Sequence, residues 1–279
     1  MAAQTEITNM ALFCDFENIA LGVEEAKYAK FDIKKVLERL LLKGNIVVKK
    51  AYCDWERYKG FKAGMHEAAF ELIEIPHVRQ SGKNSADIRM VVDALDLCYT
   101  KSHVDAFVII SGDSDFSPLV SKLRENNKHV IGVGVKSSTS DLLKANCDEF
   151  ILYDDLVRAQ EAAQKRVARK TPAKTAGSSA KPAADKTVDE KAEECRLEAF
   201  DLVVETLEAL LEERGEDDQV WASMLKQALK RRRPDFTESA FQYKGFNQLL
   251  EDAQKHKLLT LVRSEKGGYL VRTVAAEKP

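Results

Sequence analysis

The chain has no C-x-x-C pair: its five cysteines (Cys14, Cys53, Cys98, Cys147 and Cys195) are scattered, and none of its five histidines stands at metal-ligand spacing from them. That pattern argues against a structural zinc site and against a disulfide framework. Cys14 and Cys53 lie in strand-like runs and read as buried, reduced thiols. No apolar run approaches the roughly 18 residues of a membrane span, and the N-terminus lacks a basic segment followed by an apolar one. We therefore expect a cytoplasmic protein with no membrane partner. A net charge of -2 gives no global attraction to nucleic acid, so any such surface must be local. No glycine-rich phosphate loop follows the first apolar run, where Asp15-Phe-Glu-Asn18 stands instead, and a dinucleotide site is disfavoured.

What is present is enough for about two domains: 279 residues, 44% apolar and 32% charged. Strand-like runs occur at Met10 to Cys14, Ile46 to Cys53, Leu72 to Val78, Phe107 to Ile110, Val130 to Val135 and Phe150 to Tyr153. Amphipathic helical patterns separate them at Ile33 to Lys43, Tyr58 to Phe70, Ser85 to Tyr99, Pro118 to Asn126 and Thr139 to Ala145. Near-continuous apolarity in the strands suits a sheet covered on both faces. The expected fold class is thus α/β, a doubly wound, mostly parallel sheet.

From Arg158 to Glu193 the apolar periodicity disappears. The segment 158–193 is expected to be a flexible tether, since Ala, Lys, Thr, Pro and Ser cannot bury enough surface to offset ordering entropy. It is basic, with eight Lys or Arg against two acids between Arg158 and Lys186. Beyond it, helical spacing around Phe200 to Leu211, Trp221 to Arg231 and Phe246 to Gln254 precedes a hairpin pattern, Leu258 to Arg263 and Tyr269 to Thr273. Three helices and a hairpin predict a small winged helix-turn-helix domain over about residues 195–274.

The run Phe107-Val-Ile-Ile-Ser-Gly-Asp113-Ser-Asp115-Phe-Ser-Pro118 carries most of the chemistry. Ligands in open α/β sheets bind beyond the carboxyl ends of the strands. Asp15 follows the first strand, Asp113 and Asp115 the fourth, and Asp87 opens the helix after the third. Each can also be read as a helix cap alone. Pro118, however, prefers the first helical position, which makes Ser117 the expected cap and leaves Asp113 and Asp115 for other work. An extended segment would point both carboxylates to one side. Clustered carboxylates resist joint ionisation unless a divalent cation neutralises them, and oxygen-only donors favour magnesium or manganese. Such a site suits metal-assisted phosphodiester hydrolysis. Arg79 and Lys83, flanking Asp87 in sequence, are candidate phosphate contacts. The mixture Arg57-Tyr-Lys59-Gly-Phe61-Lys62 reads at least as well as a solvated helix face with aromatics turned inward.

Three ordered motifs, Phe13-Cys-Asp15-Phe-Glu-Asn18-Ile, Gly82-Lys-Asn-Ser-Ala-Asp87-Ile with Val92-Asp93-Ala-Leu, and Ser111-Gly-Asp113-Ser-Asp115-Phe-Ser-Pro118-Leu, resemble the NYN domain, a branch of the PIN-like nucleases. The resemblance spans residues 8–156. It implies a magnesium- or manganese-dependent ribonuclease, of endonuclease type, with Asp15, Asp87, Asp113 and Asp115 as metal ligands and Asn18 supporting them. Asp141 is a weaker candidate for a fifth acid. The C-terminal region resembles the OST-HTH (LOTUS) domain through Tyr243-Lys-Gly-Phe246-Asn-Gln-Leu-Leu250 and the closing Gly268-Tyr-Leu-Val271. That resemblance implies binding of RNA, single-stranded or structured, or of a protein partner. Glu198 to Asp218 carries nine acids and one arginine, whereas Lys230, Arg231, Arg232 and Arg233 are basic. Nucleic acid would therefore meet the basic cluster and Lys244. The competing expectation is a non-catalytic RNA-binding or regulatory adaptor that keeps the acidic pocket. Toprim-like, haloacid-phosphatase and receiver sites each need acids in a different strand order.

Overall fold

A computed structural model describes residues 8–28, 30–75, 85–170, 188–215, 219–264 and 268–274. The chain divides into two units, Met1–Pro172 and Ala173–Pro279. Among the described residues no helix is long and apolar enough to cross a membrane.

The first unit runs β1 (Asn9–Asp15), α1 (Phe16–Glu25), α2 (Ile33–Lys43), β2 (Asn45–Cys53), α3 (Lys59–Glu67), β3 (Glu71–Glu74), α4 (Ser85–Thr100), β4 (Ala106–Ile110), a 3-10 turn (Ser114–Phe116), α5 (Ser117–Glu125), β5 (His129–Gly134), α6 (Asp141–Asn146), β6 (Glu149–Leu152) and α7 (Tyr153–Lys170). The six strands form one sheet in the order β3-β2-β1-β4-β5-β6, and every pair is parallel. This is the doubly wound α/β architecture, with its switch point between β1 and β4. Along β1, Met10, Leu12 and Cys14 enter one apolar core and Ala11 and Phe13 the other. Both faces are therefore covered, which is why the strands read as unbroken apolar runs rather than as alternation.

Local chemistry sets several boundaries. Asp32 caps α2 by accepting from the Lys34 amide, and Ser140 caps α6 by accepting from Leu142. Helix α1 has no counterpart in the sequence reading; Asp15 ends β1 and begins the helix in consecutive residues, leaving no loop to mark the change. Strand β3 stops at Glu74, short of the expected Val78, and residues 76–84 lie outside the described residues. Helix α7 runs to Lys170 and α8 begins at Val188, so residues 158–170 and 188–193 of the stretch expected to be a flexible tether are helical instead, while 171–187 lie outside the described residues. Ala, Gln, Lys and Arg sustain a helix without an apolar face.

The second unit comprises α8 (Val188–Arg214), β7 (Val220–Trp221), α9 (Ala222–Arg232), a 3-10 turn (Glu238–Phe241), α10 (Phe246–Lys255), β8 (Leu259–Arg263) and β9 (Tyr269–Thr273). Its antiparallel sheet has the order β7-β9-β8. Three helices and this sheet form the winged helix-turn-helix arrangement, around a core that includes Phe200, Leu207, Leu225, Leu229, Leu249 and Val271.

Candidate active site

Strand register builds the site. Cys14 pairs with Ile110 across β1 and β4, so the next residues on each strand, Asp15 and Ser111, emerge level at the carboxyl edge. Ser111 is fully buried, and its hydroxyl donates to Asp15 Oδ2 at 2.9 Å while accepting from the Asp113 amide at 3.1 Å. Asn18, one turn into α1, accepts the Gly112 N–H through Oδ1 at 2.8 Å. Its own amide donates a longer bond to Asp15 Oδ1, 3.4 Å. Two strand ends and one helix start are thus joined into a single hydrogen-bonded corner.

The electrostatics of that corner are unfavourable for full ionisation. Asp15 is 8% exposed, and its carboxyl is pushed up to about 7, first by burial and next by the charge of Asp87. Asp113 adds a smaller push, and the bonds from Ser111 and Asn18 oppose the shift. Asp87, in the first turn of α4, and Asp113, after β4, are therefore close enough to act on Asp15. Asp115 is exposed and is not among the groups that shift it.

The geometry around Asp113 differs from expectation. Ser117 does not cap α5: it adopts helical backbone, and its buried hydroxyl has no hydrogen-bond partner. Asp113 instead caps the 3-10 turn, accepting from the Asp115 amide at 2.9 Å. The segment is consequently a tight turn and not an extended one, so the period-two argument for a common direction fails. A local carboxylate-to-amide bond two residues on was favoured over the serine cap.

Other candidates sort clearly. Asp141 is fully exposed and pairs with Lys144, so it is no fifth acid of this corner. Asp93 accepts from Tyr52 Oη at 2.9 Å and pairs with Lys50 and Arg89, away from Asp15. Arg57 pairs with Glu17, Lys59 and Lys62 pair with Glu56, and Tyr58 and Phe61 pack edge-on against Phe16. That cluster is the solvated face with inward aromatics. Arg79 and Lys83 lie outside the described residues. In the second unit Lys230, Arg233 and Lys244 are exposed and Arg231 is half-buried. Arg232 is tied to Glu205 at 2.7 Å and to Thr206 at 3.2 Å, which removes it from the set available to a ligand. Ser111 was missed as a site residue; its only signal was a hydroxyl as the first polar residue after an apolar strand.

Among the described residues, no three His, Cys, Asp or Glu side chains are arranged to hold a metal ion as they stand. The chemistry of the corner nevertheless fits a hard cation. Its donors are carboxylate oxygens, and the charge that pushes Asp15 upward is what a divalent ion would neutralise.

An acid-edged, doubly wound parallel sheet of this kind is the PIN-like, nuclease-type architecture. The NYN domain model matches residues 9–154, more than half of the chain, and the protein belongs to that family. NYN domains are nuclease-like, RNA-acting domains that generally use divalent metals. The chain is similar to the uncharacterized protein MJ0482 of Methanocaldococcus jannaschii, 26% identical over 125 residues, covering 45% of this chain and 49% of that protein. It thus spans about half the length of that curated relative. Among solved structures it is similar to VPA0982 of Vibrio parahaemolyticus, a protein of unknown function, at 26% identity and a TM-score of 0.48, covering 56% of this chain and 98% of that one.

Proposed function

We propose that the protein is a magnesium- or manganese-dependent ribonuclease that hydrolyses RNA phosphodiester bonds endonucleolytically. The observation that carries this reading is Asp15, a buried carboxyl pushed up to about 7 by burial and by Asp87 and Asp113 at the sheet's carboxyl edge. Such a group holds strain that a cation relieves. Asp15, Asp87, Asp113 and Asp115 would hold the ion. When bound, it supplies a water of lowered pKa and screens the charge that develops on phosphorus. The chain's own residues orient the site: Ser111 fixes Asp15 Oδ2 and the Asp113 amide, and Asn18 fixes the Gly112 amide. We further propose that the second unit is an OST-HTH (LOTUS) module that holds RNA through Lys230, Arg233 and Lys244, with Arg231 beside them.

The test is cleavage of single-stranded RNA in magnesium or manganese by the wild type beside Asp113→Asn. A loss of at least ~100-fold is expected in the variant. Equal rates in both proteins would attribute cleavage to contamination and sink the proposal. The competing reading is a non-catalytic adaptor that keeps the acidic pocket. RNA binding without products in either metal would establish it instead.

A further inference from the structure

Helix α4 turns two unlike faces outward from its axis. Met90, Ala94 and Cys98, four residues apart, are buried against the sheet. On the opposite side Ile88, Val92 and Tyr99 are 63%, 56% and 64% exposed. At about 100° per residue, Ser85, Ile88, Arg89, Val92, Asp96 and Tyr99 fall within an arc of roughly 100° centred near Val92. Ser85, Ile88, Arg89, Val92, Asp93 and Asp96 line a groove of about 590 Å³ along this helix. The same wheel puts Asp87 on the far side, toward the sheet edge. A stripe of branched and aromatic side chains flanked by charge is the pattern of an interface and not of a solvated helix.

We propose that this face of α4 is the contact between two copies of the chain, packed antiparallel about a two-fold axis near Val92. The charge order carries the choice of occupant. Reversing the helix about Val92 brings Val92 onto its own copy and sets Ser85 level with Tyr99. Arg89, which bonds Asp93 of its own helix at 3.0 Å and is still 58% exposed along its side chain, then lies within one residue of Asp96 of the second copy, and symmetry makes that pair twice. The stripe has a cation on one side of its centre and an acid on the other, so it is complementary to itself only when inverted. A parallel pairing would oppose like charges. Because Asp87 faces away from the stripe, the association leaves both acidic corners open. One on each copy, they lie about 15 Å apart along the helix direction, from the rise of 1.5 Å per residue. A single helix pair buries less than the ~1,600 Å² of a standard interface, so the dimer is weak and concentration-dependent.

The experiment is sedimentation equilibrium of the full chain from about 1 to about 200 µM, a range in which weak dimers form. The wild-type mass should rise from 31.3 kDa toward twice that value. Val92→Glu should hold the monomer mass throughout, with an unchanged far-ultraviolet circular dichroism spectrum because the site is exposed. Arg89→Asp and Asp96→Arg should each weaken self-association by at least ~10-fold. An equimolar mixture of those two variants should dimerise again, since both cross-pairs are then of opposite charge. A wild type that stays monomeric, a Val92→Glu that dimerises, or a mixture that fails to pair overturns the proposal. The first of these outcomes would mean that some other part of the chain or another partner covers the stripe.

Discussion

The Ser111 hydroxyl donates to Asp15 Oδ2 at 2.9 Å, with no solvent reaching either the hydroxyl or its strand. The bond opposes the rise in the Asp15 carboxyl, since it favours the ionised form. Ser111→Ala would remove the hydrogen bond to a buried Asp15 carboxylate oxygen and the Ser111 acceptor of the Asp113 amide. We expect a stability loss of about 1–3 kcal/mol and a fall of about 10–100-fold in metal affinity and cleavage. Urea unfolding and manganese titration measure the two effects separately. Cleavage and metal affinity at wild-type values would show that Ser111 does not position Asp15.

Asp15 also makes stability depend on pH. Its carboxyl stands at about 7 in the folded chain against an ordinary 3.8, so the folded state prefers the proton. A raised value means that the contribution is fully present below 3.8 and lost as pH rises through about 7. Without metal, the wild type should therefore lose stability between about pH 4 and about pH 7 relative to Asp15→Asn, by no more than about 4 kcal/mol. Millimolar magnesium or manganese should restore the wild type and leave the variant unchanged. Chemical denaturation at the two pH values, with and without metal, reads this directly. Parallel pH curves for the two proteins would refute it.

How far this corner was legible in advance depends on which forces set each part. The strand Ala106–Ile110 is fully buried on both faces, and only apolar residues meet that demand, so the sequence displayed it plainly. The positions of Asp15 at the end of β1 and of Asp113 just beyond β4 followed from the same logic. Ser111 was invisible because its role depends on the Cys14–Ile110 register, a contact between residues far apart in the chain. The 3-10 turn was misread because two side-chain acceptors, the Asp113 carboxylate and the Ser117 hydroxyl, competed for the N–H groups of one helix start, and composition does not rank them. Strand β7 is only two residues long and exists by pairing with β9, so it leaves no periodic signal.

Gly112 admits no side chain. A Cβ there would stand 2.3 Å from the Ser138 carbonyl oxygen, a backbone atom that cannot swing aside, while the Gly112 amide is held by Asn18. Gly112→Ala should cost about 1–3 kcal/mol or more through overpacking and should displace Asp113 with it. Gly64 in α3 is the control: a Cβ there meets nothing within 4 Å. Gly64→Ala should stabilise the chain by about 0.5–1 kcal/mol. Thermal unfolding of both variants, with cleavage assayed on each, separates a packing constraint at the corner from a general intolerance of added methyl groups. Gly112→Ala with wild-type melting and activity would refute the constraint.

In the second unit the basic run at the end of α9 should divide into two kinds of residue. Arg232 spends its guanidinium on Glu205 and Thr206 of α8, whereas Lys230 and Arg233 are exposed. Arg232→Ala would break a partly buried charge-assisted pair and leave Thr206, itself 1% exposed, with one partner fewer. It should lower the stability of that unit by about 1–2 kcal/mol and leave the salt dependence of RNA binding as it was. Lys230→Ala and Arg233→Ala should do the reverse, with melting unchanged. For each phosphate contact removed, the slope of log affinity against log salt should become shallower by about 0.7 for single-stranded RNA. Fluorescence titrations at several salt concentrations, paired with thermal melts, test both halves at once. If neither Lys230→Ala nor Arg233→Ala alters the slope, the unit does not grip RNA through α9, and a protein partner becomes the better reading of its exposed face.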